Sequence, residues 1–289
     1  MKRKDRIFLL TSVFVLIPGT VFPFLSCERN TPEQVPPQKD SLCFRIQLQN
    51  ELPEDSRADI FIFSDEGIRS LEHHLSCDAA PSMETGYRGD ATDKLAVCII
   101  NSPFPLNEKA VTRYEILEAM VVRLEDDNPS APVMSSVKLL VAEEGGVYNA
   151  IFKPTPLLCR IRVNSINNNI GSYTRVEDPV LYLQNINSST EVLRSEGFRP
   201  QETGLKSSVL TLPADIGAWT VHPEGWFYCY PNDSRESSVG SPSTEIVVEG
   251  HVKGKIQRFR VKIPAFGRGS TIAADIDLGP DGTADASFF

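Results

Sequence analysis

Basic patches are missing from this chain. Its 29 Lys and Arg stand against 38 Asp and Glu, a formal charge of −9 over 289 residues, and the basic ones form no tract or stripe. That argues against nucleic acid as a partner and against anionic lipid held by charge alone. Apolar runs are short as well: Ile7 to Ile17 is the leading one, well under the ~20 residues a membrane-spanning helix needs. There is no CxxC and no Cys/His pair at ligand spacing among six cysteines and four histidines, so no metal framework is signalled. No GxSxG elbow accompanies a histidine. Lys253-Gly254-Lys255 has neither the spacing nor the following helix of a phosphate loop. His73 and His74 are adjacent, so on a strand they face opposite ways and make a poor metal pair. Asp275, Asp277, Asp281 and Asp285 suggest calcium, but Gly279 stands where an EF-hand would place its third ligand, and they read as solvated acids. Neither an enzyme nor a cofactor is expected.

What the chain does have begins at residue 2. Lys2, Arg3, Lys4 and Arg6 precede the apolar run, which continues to Leu25-Ser26-Cys27. This is the layout of a secretory signal, and its end resembles a bacterial lipobox, in which the cysteine is acylated and becomes the mature N-terminus. Cys27 is therefore the expected lipidation site, residues 1–26 the signal, and the rest of the chain more acidic than −9. Stable anchoring needs more than one acyl chain, and bacterial lipoproteins typically carry three. Residues 27–41 are polar and proline-bearing, an extended tether. Five cysteines remain beyond Cys27, an odd number. Cys43, Cys98, Cys159 and Cys229 lie in strand-like runs and read as small buried apolar residues.

Beyond the tether, alternation with period two dominates. Leu42, Phe44, Ile46 and Leu48 share one face of a strand, and Asp59–Phe63 forms a second, closed by the turn at Ser64–Gly67. Lys94–Asn101 is apolar almost throughout, which suits a central strand covered on both faces. Tyr114, Leu117, Val121 and Leu124 predict one helix, with Thr112 and Glu115 as its capping box and Asn128-Pro129 as its end. Leu157 to Val163, Val180–Leu183, Ser208–Leu212 and Trp226–Tyr230 follow as strands. The run from Ile246 to Ile263 predicts a hairpin about Lys253-Gly254 with a bulge at Ile256, and Ile272 to Leu278 closes the set. Many short strands with Gly/Pro turns make a mainly β chain. The expected domains are β-sandwiches at 42–152 and 153–289, with one modest helix in the N-terminal domain.

Several phrases, in order along nearly the whole chain, carry a family resemblance. They are the lipobox, DIFIFSDEG (Asp59–Gly67), KLAVCIINS (Lys94–Ser102), YEILEAMVVRLEDDNPSAPVMSS (Tyr114–Ser136), PLLCRIRVNSI (Pro156–Ile166), FYCYPN (Phe227–Asn232), VVEGHVKGK (Val247–Lys255) and FRVKIPAFGRG (Phe259–Gly269). Together they resemble the fimbrillin-type fimbrial subunits and fimbrial anchor lipoproteins, the type V pilus proteins of Gram-negative outer membranes. The resemblance implies two tandem transthyretin-like β-sandwich domains, no enzymatic activity, and a place on the cell outer membrane or in the fimbrium. It implies other fimbrial subunits as partners by strand exchange, the outer membrane as a partner through the lipid, and a role in cell adhesion. Stalk subunits of this kind lose their first strand to a cut after a basic residue; here the strand would be Leu42–Gln49 and the cut site Arg57. Anchors keep the lipid and that strand. Only Gly279–Phe289 follows the last strand, which favours an anchor or accessory subunit, although Phe288-Phe289 could plug a groove. An alternative is a surface lipoprotein whose partner is a host-surface or glycan ligand, stacked on an exposed aromatic such as Trp219. For both Trp219 and Trp226, burial in a sandwich core is the expected position.

Overall fold

A computed structural model describes residues 44–289 apart from 50, 90–91, 142–147, 172, 201 and 235–241. The signal, Cys27, the tether, Leu42 and Cys43 lie outside the described residues. In chain order the first elements are β1 (Phe44–Leu48), β2 (Arg57–Ser64), β3 (Leu71–Asp78), β4 (Ser82–Glu84) and β5 (Lys94–Ile100). Then come α1 (Tyr114–Glu118), β6 (Val121–Arg123), β7 (Met134–Leu140), β8 (Tyr148–Phe152) and β9 (Thr155–Pro156). The remainder holds β10 (Cys159–Asn168), β11 (Glu177–Gln184), β12 (Ser189–Glu191), β13 (Leu210–Thr211) and β14 (Phe227–Cys229). It ends with β15 (Glu245–Val252), β16 (Lys255–Lys262), β17 (Thr271–Leu278) and β18 (Ala284–Phe288).

The protein is built from two tandem β-sandwiches. In the first, the three-stranded sheet β4-β1-β8 faces the five-stranded sheet β3-β2-β5-β7-β9. Their shared core holds Ile46, Ile60, Ile62, Cys98, Ile100, Ala150 and Phe152. Alternation explains the layers: Ile46 and Leu48 point inward while Arg45 and Gln47 stay exposed. β5 lies between β2 and β7 and all seven of its residues are buried: Leu95 to Ile100 form its apolar run, and Lys94 pairs with Glu72 at 2.8 Å. In the second sandwich β14-β10-β17-β18 faces β13-β11-β15-β16 across Ile161, Leu181, Leu183, Val248, Phe259 and Ile276. The two have related topology. β1 is flanked by an antiparallel and a parallel neighbour, β4 and β8, and β10 is flanked likewise by β14 and β17.

A third core lies on the outer face of the five-stranded sheet. Phe61, Phe63, Val97 and Ile99 are covered there by Val111, Leu117 and Val122, and by Leu157, Leu158, Val192 and Tyr230 from further along the chain. Leu157 thus leaves the alternation expected of it and serves this seam.

Four local expectations are corrected. The helix stops at Glu118, and Val121–Arg123 is strand β6, paired with β12. Val121 and Val122 are β-branched and better suited to a strand, and Val122 gains a buried place opposite Thr190. Thr112 does not cap the helix either; Arg113 holds that position, with no side-chain cap bond. The β15–β16 register runs unbroken from Glu245↔Lys262 to Val252↔Lys255, so there is no bulge at Ile256, which faces solvent beside Arg258. The Lys253-Gly254 turn itself is present, with φ of 52° and 72°. Finally, the residues after Leu278 are no loose tail: Ala284–Phe288 pairs antiparallel with β17, and Phe288 packs on the second core.

Candidate functional site

The first strand and its exit form the candidate site. β1 is the middle strand of its sheet. Its register runs from Phe44↔Tyr148 to Leu48↔Phe152 on one side and Arg45↔Glu84 to Gln47↔Ser82 on the other. Two further backbone bonds, Leu48 N–H to Pro81 O at 3.0 Å and Gln49 N–H to Phe152 O at 3.3 Å, fix its end. Ile46 is 1% exposed and Leu48 7%, so their burial contributes on the order of 1.5–3 kcal/mol each. The Arg45–Glu84 ion pair, at 3.5 Å between two exposed side chains, adds little. β1 is thus held by backbone pairing on both edges and by two apolar side chains.

The connection from β1 to β2 crosses an acidic cleft of about 580 Å3 lined by Glu51, Glu54, Asp55 and Asp78. Asp55 adopts φ 59°, and Ser56 Oγ donates to Pro53 O at 2.8 Å, which tightens the turn. Arg57 is exposed, as the sequence suggested, but it is the first residue of β2 rather than part of the loop. Its backbone N–H donates to Asn101 Oδ1 at 3.1 Å and its carbonyl accepts Asn101 N–H at 2.9 Å. Its Nε donates to Ser76 Oγ at 3.1 Å. Between Gln49 and Arg57 the sequence holds no other Lys or Arg. A basic-residue protease that separates β1 from β2 therefore has Arg57 as its only target, and must first loosen the start of β2.

A second set of polar side chains stitches the seam beside the third core. Arg268, in the turn before β17, donates through Nη2 to Ser135 Oγ at 2.9 Å, Ser135 O at 3.1 Å and Thr155 O at 2.7 Å. Its surroundings disfavour the charge, and desolvation brings its pKa down to about 10. Asp127 is 5% exposed; it accepts Val133 N–H at 2.9 Å and Tyr230 O–H at 3.1 Å. Burial raises the Asp127 pKa, and those two donors partly offset the rise. The sequence reading did not single out either group. Lone polar residues in turns carry no periodic signal, and only the fold shows that they are enclosed.

Other singled-out residues fall in separate places. Cys98, Cys159 and Cys229 are buried and Cys77 is half-buried, all as free thiols. Asp275 accepts Ser165 Oγ at 2.7 Å and Asp277 accepts Asn167 Nδ2 at 2.9 Å, both along the β10–β17 ladder. Among the described residues no group of three or more His, Cys, Asp or Glu side chains could hold a metal ion. His73 bonds Thr85 O while His74 contacts Asp59, so the pair diverges. The two tryptophans are not in a core. Trp219 is 82% exposed, and Trp226, at 39%, lies just outside β14 under the Arg162 guanidinium, 5.1 Å from its ring centre. Turn residues precede both, and neither sits on an inward-facing strand position.

No protein-family model matches the chain, and no curated protein sequence matches it. Solved structures do. A candidate cell-adhesion protein from Parabacteroides distasonis aligns over 87% of this chain and 96% of its own, with 12% identity and a TM-score of 0.65. A fimbrilin from Porphyromonas gingivalis aligns over 86% and 96%, at 9% identity and a TM-score of 0.60. A second candidate cell-adhesion protein, from Bacteroides eggerthii, gives 86% and 95%, 13% and 0.57. At such identities the likeness establishes a shared fold: the chain has the architecture of fimbrillin-type and cell-adhesion proteins, as the sequence phrases implied.

Proposed function

We propose that this chain is a fimbrium-associated outer-membrane lipoprotein, an anchor or accessory subunit. It is tethered through acylated Cys27, folded into domains 42–152 and 153–289, and acts structurally in fimbrial assembly and cell adhesion. The observation that carries the reading is the place of β1. An N-terminal segment forms the middle strand of a sheet, between β4 and β8, and its loss would open a slot with main-chain donors and acceptors on both sides. A strand from a neighbouring subunit with apolar residues at alternate positions fits such a slot by β-augmentation. The shared fold with a fimbrilin supports the same reading. The anchor or accessory role is favoured because Arg57 is tied into β2 by Asn101 and Ser76, which protects the bond after it.

The test is intact-mass analysis of the protein extracted from native outer membranes with protease inhibitors present from lysis. A mass beginning at triacylated Cys27 supports a permanently tethered subunit. A mass beginning at Ala58 turns the role to that of a filament subunit that receives a strand. An unacylated mass beginning elsewhere in the first 40 residues would remove the lipoprotein reading.

A further inference from the structure

Two aromatic side chains stand out of the second sandwich at one cleft, and nothing in the assembly reading uses them. Tyr173 is 103% exposed and Trp219 is 82% exposed, in a chain that buries Phe61, Phe63, Phe152, Phe198 and Phe259 completely or nearly so. Tyr173 belongs to the segment between β10 and β11, and Trp219 to the segment after β13. Both line a cleft of about 1000 Å3, whose walls otherwise carry Asn169, Thr174, Arg175 and Asp215. We propose that this cleft binds a saccharide.

The chemistry of the walls selects that ligand class. A pyranose has an apolar face of C–H groups that lies flat on an aromatic ring, whose face is electron-rich. Its hydroxyls are both donors and acceptors, and the cleft offers both kinds of partner: amide and hydroxyl groups at Asn169 and Thr174, an acceptor at Asp215 and a donor fork at Arg175. Aromatic rings with a few convergent polar groups are the usual make-up of a small-ligand site. A docked peptide strand or helix would need an apolar floor. Here the apolar lining besides the two rings is limited to Ala214 and Ala218.

The two walls are also held in position. Val176 and Ile216 exchange both backbone bonds at 3.0 Å. Asn168 Nδ2 donates to Thr174 O at 2.8 Å and to Ile216 O at 3.2 Å, and its Oδ1 accepts Ile170 N–H at 3.1 Å. Asp178 N–H reaches Asp215 Oδ1 at 3.3 Å, and Thr220 Oγ1 donates to Asn167 Oδ1 at 2.7 Å. Tyr173 itself sits at φ 64°, a conformation rare outside glycine and asparagine. Binding therefore orders little of the wall backbone, and its entropic cost falls mainly on the two exposed rings.

This site is independent of how the chain is anchored or assembled. Its test is an array of animal and bacterial surface glycans, probed with the purified full chain. Titration of each hit by isothermal calorimetry follows, on the wild type and on each variant separately. The expected result is saturable binding of at least one oligosaccharide, weakened tenfold or more by Trp219→Ala and by Tyr173→Ala, and unchanged by Trp226→Phe. Both aromatic positions are exposed, so unaltered thermal unfolding of the variants checks that the fold is intact. An array without saturable binding overturns the proposal, as does a hit whose affinity is the same in both alanine variants. If the two alanine variants instead lose a purified fimbrial partner while no glycan binds, the cleft is a protein contact and the saccharide assignment fails.

Discussion

Arg268 Nη2 and Ser135 Oγ, 133 residues apart in sequence, meet at 2.9 Å. Ser135 is 2% exposed, and its own hydroxyl donates a hydrogen bond to Val192 O at 2.5 Å. One guanidinium thus ties the turn before β17 to β7 and to β9. Removing it leaves the carbonyls of Ser135 and Thr155 without that donor. Hydrogen bonds to a charged group contribute roughly 1.5–3 kcal/mol, and leaving enclosed acceptors unpaired adds to the loss. Arg268→Ala should destabilise the protein by about 2–4 kcal/mol, read as a lower urea midpoint with little change in slope. Ser135→Ala should cost less, about 1–2 kcal/mol. A midpoint unchanged by Arg268→Ala would mean that the contact contributes nothing net.

Asp127 gives a pH dependence whose sign follows from its environment. Burial is the largest influence and raises its folded pKa, against the Val133 and Tyr230 hydrogen bonds. A carboxyl whose folded pKa lies above its unfolded one favours folding most when protonated, below the usual carboxylate value of about 3.9. That contribution is lost as pH rises through the raised folded value. Asp127→Asn removes this titration, so the variant should gain on the wild type as pH rises above the ordinary carboxylate value and through the raised folded one. Urea midpoints measured across that range check it. A wild-type-to-variant difference that does not change with pH would overturn the assignment.

The thiols should label in an order set by burial. Desolvation pushes Cys98 and Cys159 up to about 12 and raises Cys229 well above its ordinary value. Cys77 is raised less and is half-buried. Because the thiolate is the reactive form, iodoacetamide at about pH 8 should modify Cys77 first among the four described thiols. Cys98, Cys159 and Cys229 should react only in denaturant. Peptide mass mapping reads the order directly. Early labelling of Cys159 or Cys229, which lie opposite each other on β10 and β14, would mean that the second core opens readily.

Gly250 is required by space rather than by backbone conformation. A Cβ there would lie 2.5 Å from Val176 Cγ1 and 2.8 Å from Glu177 O, where β15 passes the irregular start of β11. Overpacking of this kind costs about 1–3 kcal/mol. Gly250→Ala should lower thermal stability by several degrees, whereas Gly254→Asn in the exposed hairpin turn should be near neutral. Differential scanning calorimetry of the two variants separates them.

How far the fold could be read from the chain depends on periodicity. β1, β5, β10 and β17 follow from clean alternation or an unbroken apolar run, because one face or both faces of those strands are fully buried. β3 was harder to read: Leu71–Asp78 carries two histidines and two acids and is mostly half-buried at the edge of its sheet. β18 was harder still, since Ala284–Phe288 sets Ala284 and Ala286 against Asp285 and Ser287, and its only large inward side chain is Phe288. The helix was over-read because Val121 and Leu124 continue a helical spacing that tertiary pairing with β12 overrides. At the candidate site, Arg57 was marked by what the family resemblance implies and by the turn-like residues before it, although it opens β2 rather than lying in the loop. Its backbone lock to Asn101, 44 residues away, was not. The exposed aromatic pair was half visible: Trp219 drew notice, while Tyr173 had no pattern to mark it.

An interior strand supplied by the first described residues would have a kinetic meaning. β4 contributes three residues to its sheet and β8 five, and in the described residues each pairs only with β1. With β1 gone they would no longer form a sheet, and Ile60 and Cys98 on the opposite sheet would face water across the vacated layer. Such a chain would be a fold in arrears by one strand. Its completion would become second order in protein, so the lifetime of the unfinished form would fall as subunits accumulate. On the proposed reading, the position of five residues in one sheet would decide whether such a molecule matures alone or only in company.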